Sequence, residues 1–160
     1  MRQTFLLLTM AVLFISCTPA KITHEDIQAK AETLDFGDST SATLVGKAWE
    51  AHDDRNYPEI LAYTQKCVEL YGAEGKRMNA ELTDFAPADK AAQYWALNDV
   101  GTCLFIMANA YEKLRMYPEA AEAYGTLASD YDFAQCWDPK GWYWHPASGA
   151  YTKAEEYKYR

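Results

Sequence analysis

The residues of this chain that could do chemistry are its cysteines, histidines and carboxylates, and their spacing forms no common catalytic motif. Catalysis by a thiol needs an imidazole within hydrogen-bond reach and a third group that orients the imidazole. Cys136 and His145 share a tryptophan-rich stretch that contains no clear orienting group. The chain also has no Gly-x-Ser-x-Gly, His-Glu-x-x-His or phosphate-loop sequence. We therefore predict that it is not an enzyme.

We predict no metal site and no cofactor. The cysteines and histidines are scattered and no Cys-x-x-Cys occurs, whereas zinc sites use closely spaced ligands. Cys67 and Cys103 lie in apolar helical patterns, which favours small buried side chains over a disulfide. Carboxylates such as Asp53 and Glu119 fall on the outer faces of predicted helices, which indicates solvated surface. A glycosidase-like pair of catalytic carboxylates is an alternative, because the number of carboxylates in the chain does not exclude one.

Composition limits the classes of partner. The chain has 160 residues, of which 49% are hydrophobic and 24% charged, with a net charge of -8. This balance is typical of one folded domain rather than of a disordered chain. The acidic balance argues against a nucleic-acid partner, because phosphate binding requires clustered Lys and Arg. An acidic surface also repels anionic lipid, so attachment to a membrane would need a lipid anchor or apolar contact.

The N-terminus carries a targeting signal. Residues 5–15 are apolar except for Thr9, a length suited to a signal peptide and too short to span a bilayer. With Ser16 and Cys17 at its end, this segment resembles a bacterial lipoprotein signal. The resemblance implies that residues 1–16 are removed and that Cys17 is lipidated. Residues 17–22 would then be a tether that holds the protein in the bacterial cell envelope, at the outer membrane or facing the periplasm. The alternative is an ordinary secreted protein cleaved nearby.

A repeat organises the rest of the chain. Residues 55–60 read RNYPEI and residues 115–120 read RMYPEA, sixty positions later. In both copies proline falls in the first turn of a helix, where its missing N–H costs nothing. The second copy also shows an apolar stripe at spacings of three and four: Tyr94, Leu97, Val100, Leu104, Met107, Tyr111 and Leu114. The pattern predicts two helical hairpins, at 41–71 and 101–132.

These hairpins resemble tetratricopeptide repeats. The matching positions of the second copy are Leu104, Ala108, Tyr111, Tyr117, Ala120, Tyr124 and Leu127. Those of the first copy are Leu44, Ala48, Ala51, Tyr57, Ile60, Thr64 and Cys67. At the turn, Arg115 replaces the small residue of the family. The resemblance implies an all-α fold, a short α-solenoid, over a single domain at 23–160.

The spacing of the copies exceeds the family's period of about 34 residues. We therefore expect a long central antiparallel hairpin, with each helix near 40 Å and a break at 83–87 at its tip. Thr23 predicts the start of a first helix. Pro146 predicts the start of a last helix that caps the solenoid, with Ala150, Ala154 and Tyr157 on its inner side.

In tetratricopeptide proteins the first helices of the repeats line a groove that takes a peptide or another protein. By motif position, this resemblance places six residues in the groove: Val45, Trp49, His52, Phe105, Asn109 and Glu112. The predicted function is a protein-binding scaffold in the envelope, with self-association as a further possibility.

The segment 131–144 is rich in aromatic residues, among them Trp137, Trp142 and Trp144. Residues 138–141 (DPKG) suit a type I turn. The three tryptophans allow three interpretations. They could fill a core between the last hairpin and the terminal helix, dock a protein partner, or stack on sugar rings in a glycan-binding protein.

Overall fold

The computed structural model of the protein describes residues 22–160, which are mostly helical. The predicted signal sequence 1–16, the lipidation site Cys17 and the tether up to residue 21 lie outside the described residues. The helices are α1 (His24–Ala31), α2 (Ser41–Asp53), α3 (Tyr57–Asn79), α4 (Trp95–Lys113), α5 (Tyr117–Asp130) and α6 (Ala150–Tyr157). A 3-10 helix precedes α4 (Ala91–Tyr94), and two strands, β1 (Cys136–Asp138) and β2 (Trp142–Trp144), pair antiparallel. The prediction of a helical protein is confirmed, and the small sheet was not predicted.

Helix α1 begins at the predicted cap. The Thr23 hydroxyl accepts a hydrogen bond from the Asp26 N–H at 3.2 Å, and the Asp26 carboxylate accepts one from the Thr23 N–H at 2.8 Å. This reciprocal arrangement satisfies two backbone donors at the end of the helix. Ile27 is buried, and α1 lies against α3.

The two repeated turns have the same backbone conformation. Arg55 and Arg115 occupy the left-handed region, with φ of 56° and 59°. The next N–H donates back to Ala51 in the first turn and to Tyr111 in the second, at 2.9 Å in both. This pattern closes a helix with a left-handed residue, usually glycine. Both turns therefore form with arginine at the left-handed position.

The central helices are shorter than predicted. Helix α3 has 23 residues and α4 has 19, so they measure about 34 and 28 Å at 1.5 Å per residue. The expectation of about 40 Å for each helix is wrong, because the break between them covers residues 80–94 rather than 83–87. The α3–α4 contact is close at Gly75, where a Cβ would lie 2.9 Å from the Ala96 carbonyl oxygen.

The predicted apolar stripe is buried along α4 and only partly buried at its two ends, Tyr94 and Leu114. Its members Leu97, Val100, Leu104, Met107 and Tyr111 all belong to the hydrophobic core. The predicted burial of Cys67 and Cys103 is confirmed as well, and both are free thiols. Core packing between α3 and α4 therefore uses the residues that the periodicity selects.

After α5, the chain crosses α4 and forms the β-hairpin. Cys136 pairs with Trp144 and Asp138 with Trp142. The predicted turn is present: the Gly141 N–H donates to the Asp138 carbonyl at 2.8 Å, and Gly141 has a φ of 106°. A type I turn followed by such a glycine is a common three-residue hairpin connection.

Helix α6 starts later than predicted, at Ala150 rather than at Pro146. Gly149, with a φ of 77°, provides the change of direction before it. Ala150, Ala154 and Tyr157 are buried as predicted, and α6 lies against α5.

Candidate functional site

A concave groove runs between α2, the N-terminal half of α4 and the β-hairpin, with a volume of about 950 Å³. Each helix contributes residues at spacings of three and four, so one side of the helix faces the groove. From α2 these are Ala42, Val45, Trp49 and Asp53. From α4 they are Trp95, Asn98, Asp99, Thr102 and Phe105. The opposite wall is formed mainly by residues of the hairpin.

All five tryptophans of the chain line this groove. They come from four elements: Trp49 from α2, Trp95 from α4, Trp137 from β1, and Trp142 and Trp144 from β2. Trp137, Trp142 and Trp95 are 58%, 50% and 44% exposed. The interpretation of the loop tryptophans as core is therefore wrong for Trp137 and Trp142. Exposed aromatic side chains that line one groove make it the candidate binding site.

Neighbouring side chains fix the positions of the tryptophan rings. The contacts between ring centroids are Trp49–His52 at 5.3 Å, Trp95–Tyr71 at 5.7 Å, Trp137–Tyr143 at 5.1 Å and Trp144–Phe105 at 5.2 Å. The Lys140 ammonium lies 5.9 Å from the Trp142 ring. Rings that are held before a ligand arrives lose less conformational freedom on binding, which increases affinity.

Asp99 is the most buried carboxylate of the groove. The Ser41 hydroxyl, itself buried, donates a hydrogen bond of 2.5 Å to it. Burial raises the pKa of Asp99 above its usual value, and the Ser41 hydrogen bond opposes this effect. Asp53, at one end of the groove, has a side chain that is 85% exposed.

Other polar groups of the groove are already paired within the protein. The Asn98 amide donates to the Ala91 carbonyl and accepts from the Gln135 N–H, both at 2.8 Å. The Gln135 side chain donates to the Ala86 carbonyl at 2.9 Å. These bonds attach the segment before β1 to the start of α4, so they position the groove rather than offer donors to a ligand.

Cys136 also lines the groove, with its sulfur 2.6 Å from the Thr102 hydroxyl oxygen. Burial raises the pKa of this thiol to about 12, and the Thr102 hydrogen bond opposes the rise. A thiol with so high a pKa is a poor nucleophile at neutral pH. His145 packs instead against the Phe85 ring, with centroids 3.8 Å apart. Within residues 22–160, the Cys136 sulfur is therefore hydrogen-bonded to Thr102 and Asn98, and to no imidazole.

The six residues predicted for a groove divide into three groups. Val45, Trp49 and Phe105 line the aromatic groove. His52 and Asn109 line a smaller pocket of about 400 Å³ near the C-terminal ends of α2 and α4, with Arg55, Tyr57 and Lys113. Glu112 bonds to the Lys153 ammonium at 2.7 Å and to the Tyr124 hydroxyl at 3.1 Å, which connects α4 to α5 and α6.

Trp95, Asp99 and Thr102 were not predicted as site residues. Their spacings of four and three continue to Phe105 along one side of α4, so a second helical stripe was readable. Periodicity alone does not tell whether this stripe faces solvent or a groove, because that depends on the position of the β-hairpin.

The comparisons with known proteins give no match: no protein family, no characterised protein and no solved structure is significantly similar to this chain. In residues 22–160, no helix has the length and hydropathy that crossing a bilayer requires. The same range contains no cluster of three or more His, Cys, Asp or Glu side chains arranged to hold a metal ion.

Proposed function

We propose that the protein is a non-enzymatic scaffold that binds an extended segment of a partner protein in the aromatic groove. The observation that carries this proposal is the convergence of all five tryptophans on one concave surface. Tryptophan is enriched among the residues that dominate binding energy at protein interfaces. A groove of about 950 Å³ has the size of a ligand site.

A tetratricopeptide-like arrangement forms part of the proposal. Two hairpins, α2–α3 and α4–α5, share one turn conformation, and the first helix of each contacts the other. Successive hairpins that stack in this way create concave surfaces along their first helices. The groove lies along α2 and α4, which hold those positions.

Lipid anchoring is the other part of the proposal, and it rests on the sequence around Cys17. A lipidated Cys17 would be separated from α1 by a short tether ending at residue 22. An extended chain spans at most about 3.5 Å per residue, so the tether would keep α1 within about 20 Å of the bilayer. The groove would then act on partners near the surface of the membrane in the bacterial envelope.

Site-specific photo-crosslinking in cells tests the scaffold function. A photoreactive amino acid at Val45, in the groove, should capture a discrete protein partner. The matched control places the same group at Glu69, an exposed position of α3 outside the groove. The same adducts from both positions, or none from Val45, would contradict the proposal.

A glycan-binding function is a second candidate, because the Asp53 and Asp138 carboxylates line the same groove as the tryptophan rings. Aromatic faces stack on sugar rings, and carboxylates accept hydrogen bonds from sugar hydroxyls. If a glycan is the ligand, the protein should bind insoluble glucan or peptidoglycan and Trp142→Ala should abolish the binding. Unchanged retention of the Trp142→Ala variant would remove this candidate.

A further inference from the structure

The charged residues of the aromatic groove are all of one sign. Of the described residues that line it, Asp53, Asp99 and Asp138 carry carboxylates and none is Lys or Arg. The three carboxylates come from α2, α4 and β1, so they surround the groove rather than cluster at one point. Carboxylates on several walls attract a cationic ligand and repel an anionic one.

The tryptophan rings favour the same sign of charge. The face of an indole ring is its negative region, and it attracts Arg and Lys side chains more strongly than other aromatic rings do. The chain itself provides an example, since the Lys140 ammonium lies 5.9 Å from the centre of the Trp142 ring. Lys140 is thus a cation beside the groove that a basic ligand would have to displace or avoid.

The basic residues of the neighbouring small pocket have a separate explanation. His52 and Lys113 lie in the last turns of α2 and α4, and Arg55 lies two residues after the end of α2. Cations stabilise the negative end of the helix dipole at such positions. Two of the acidic groove residues also have partners within the protein: Asp99 accepts from the Ser41 hydroxyl, and Asp138 accepts from the Lys140 N–H at 2.8 Å. The helix dipole gives no such reason for Asp53, which lies in the last turn of α2, where the dipole disfavours a carboxylate.

We propose that the segment held in the aromatic groove is basic: an extended peptide whose Arg or Lys side chains lie between the tryptophan rings and pair with Asp53, Asp99 and Asp138. This inference rests on the proposed function, because it names the chemistry of the partner at the same site. It predicts that binding weakens as salt increases, since the exposed carboxylates are screened.

Three synthetic peptides test the inference by calorimetry with the full-length protein, purified from cells in a neutral detergent. They have about twelve residues with proline at alternate positions, so that each adopts an extended polyproline II chain. They differ only in having Arg, Gln or Glu at the remaining positions. The Arg peptide should bind about tenfold more tightly than the Gln peptide, and the Glu peptide should not bind. A soluble glucan oligosaccharide is titrated in parallel.

Matched variants locate the interaction. Asp53→Asn should lower the affinity for the Arg peptide several-fold, while Asp54→Asn, its neighbour outside the groove, should change it little at about 150 mM salt. Trp142→Ala should also weaken binding, and Lys140→Gln should strengthen it by removing a competing cation.

The possible results separate the inference from the function on which it rests. The proposal of a basic ligand is overturned if the three peptides bind equally, or if Asp53→Asn and Trp142→Ala leave binding unchanged. Crosslinking at Val45 then tests the scaffold function by itself. Absence of binding by the Arg peptide also overturns the inference. Binding of the glucan without binding of any peptide overturns both.

Discussion

A Cβ atom on Gly101 would lie 2.4 Å from the Cβ of Ala134, a separation that packed carbon atoms do not reach. At this point the segment between α5 and β1 crosses α4, and Ala134 is fully buried. Glycine is therefore required because of the close approach rather than because of its backbone angles. The contact matters for the groove, since the crossing segment leads directly into β1 and its tryptophan.

Gly101→Ala should destabilise the protein by about 1–3 kcal/mol, because a methyl group must displace backbone on one side of the contact. The free energy of unfolding from denaturant titration measures this cost. The displaced segment carries Cys136 and Trp137, so we also expect weaker ligand binding from the same variant.

Gly46→Ala is the matched control for that change. Gly46 lies in the exposed face of α2, and a Cβ there would have no neighbour within 4 Å. Alanine in a helix interior is more favourable than glycine by roughly 0.5–1 kcal/mol, so this variant should be slightly more stable than the parent. Equal effects of the two substitutions would show that steric contact at Gly101 is not the cause.

The Glu112–Lys153 ion pair should stabilise the attachment of α6. Burial raises the pKa of Glu112, but hydrogen bonding and attraction to Lys153 outweigh this effect and leave the pKa below its usual value. The stabilisation is therefore present above the usual carboxyl pKa and is lost as pH falls through the lowered one. Glu112→Gln should lower the free energy of unfolding by about 0.5–1 kcal/mol at pH 7, a small effect because the ion pair is partly exposed. Its stability should converge with that of the parent once the pH falls below the lowered pKa of Glu112.

Local signals in the sequence predicted much of the helical framework. Thr23 marked the first cap, and the two proline-containing turns marked the hairpins. These features depend on neighbours within one turn of helix, so a single sequence is enough to find them. The buried stripe of α4 was predictable for the same reason, since apolar residues that recur every 3.6 positions lie on the side of a helix that packs against the core.

The site was less predictable because it depends on distant contacts. Trp95 belongs to the groove only because the β-hairpin lies opposite it, and strands of three residues leave little pattern to detect. Glu112 was assigned to the groove by its position in the repeat. The structure connects it to Lys153 instead, because α6 packs against α5 and the Lys153 side chain reaches α4, a path that no local signal specifies.

The ionised carboxylate of Asp99 should lower the stability of the protein at neutral pH. Burial raises its pKa, so the carboxyl group contributes most stability below the usual pKa of an aspartate, and this contribution is lost as pH rises through the raised value. Asp99→Asn keeps an oxygen to accept the Ser41 hydrogen bond and removes the charge. We expect a higher melting temperature than the parent at pH 7 and a smaller difference near pH 3.

Asp53→Asn serves as the control for Asp99, because the Asp53 side chain is 85% exposed and its charge keeps its hydration. At pH 7 its melting temperature should rise at most slightly, through relief of the unfavourable helix dipole, and by less than that of Asp99→Asn. A lower melting temperature for Asp99→Asn at pH 7 would show that the Asp99 charge has a stabilising partner beyond the Ser41 hydroxyl.

Thiol labelling should distinguish the native from the unfolded protein and count the cysteines. Cys67 and Cys103 are buried, and burial raises the pKa of Cys136 to about 12, so few Cys136 thiols are ionised at pH 8. All three should react slowly with an aromatic disulfide reagent in native conditions.

In guanidinium chloride, three thiols per chain should react if Cys17 carries a lipid thioether, and four if Cys17 is present and unmodified. Mass spectrometry of the N-terminal peptide distinguishes lipidation from loss of Cys17, and a fast-reacting native Cys136 would contradict the burial that raises its pKa.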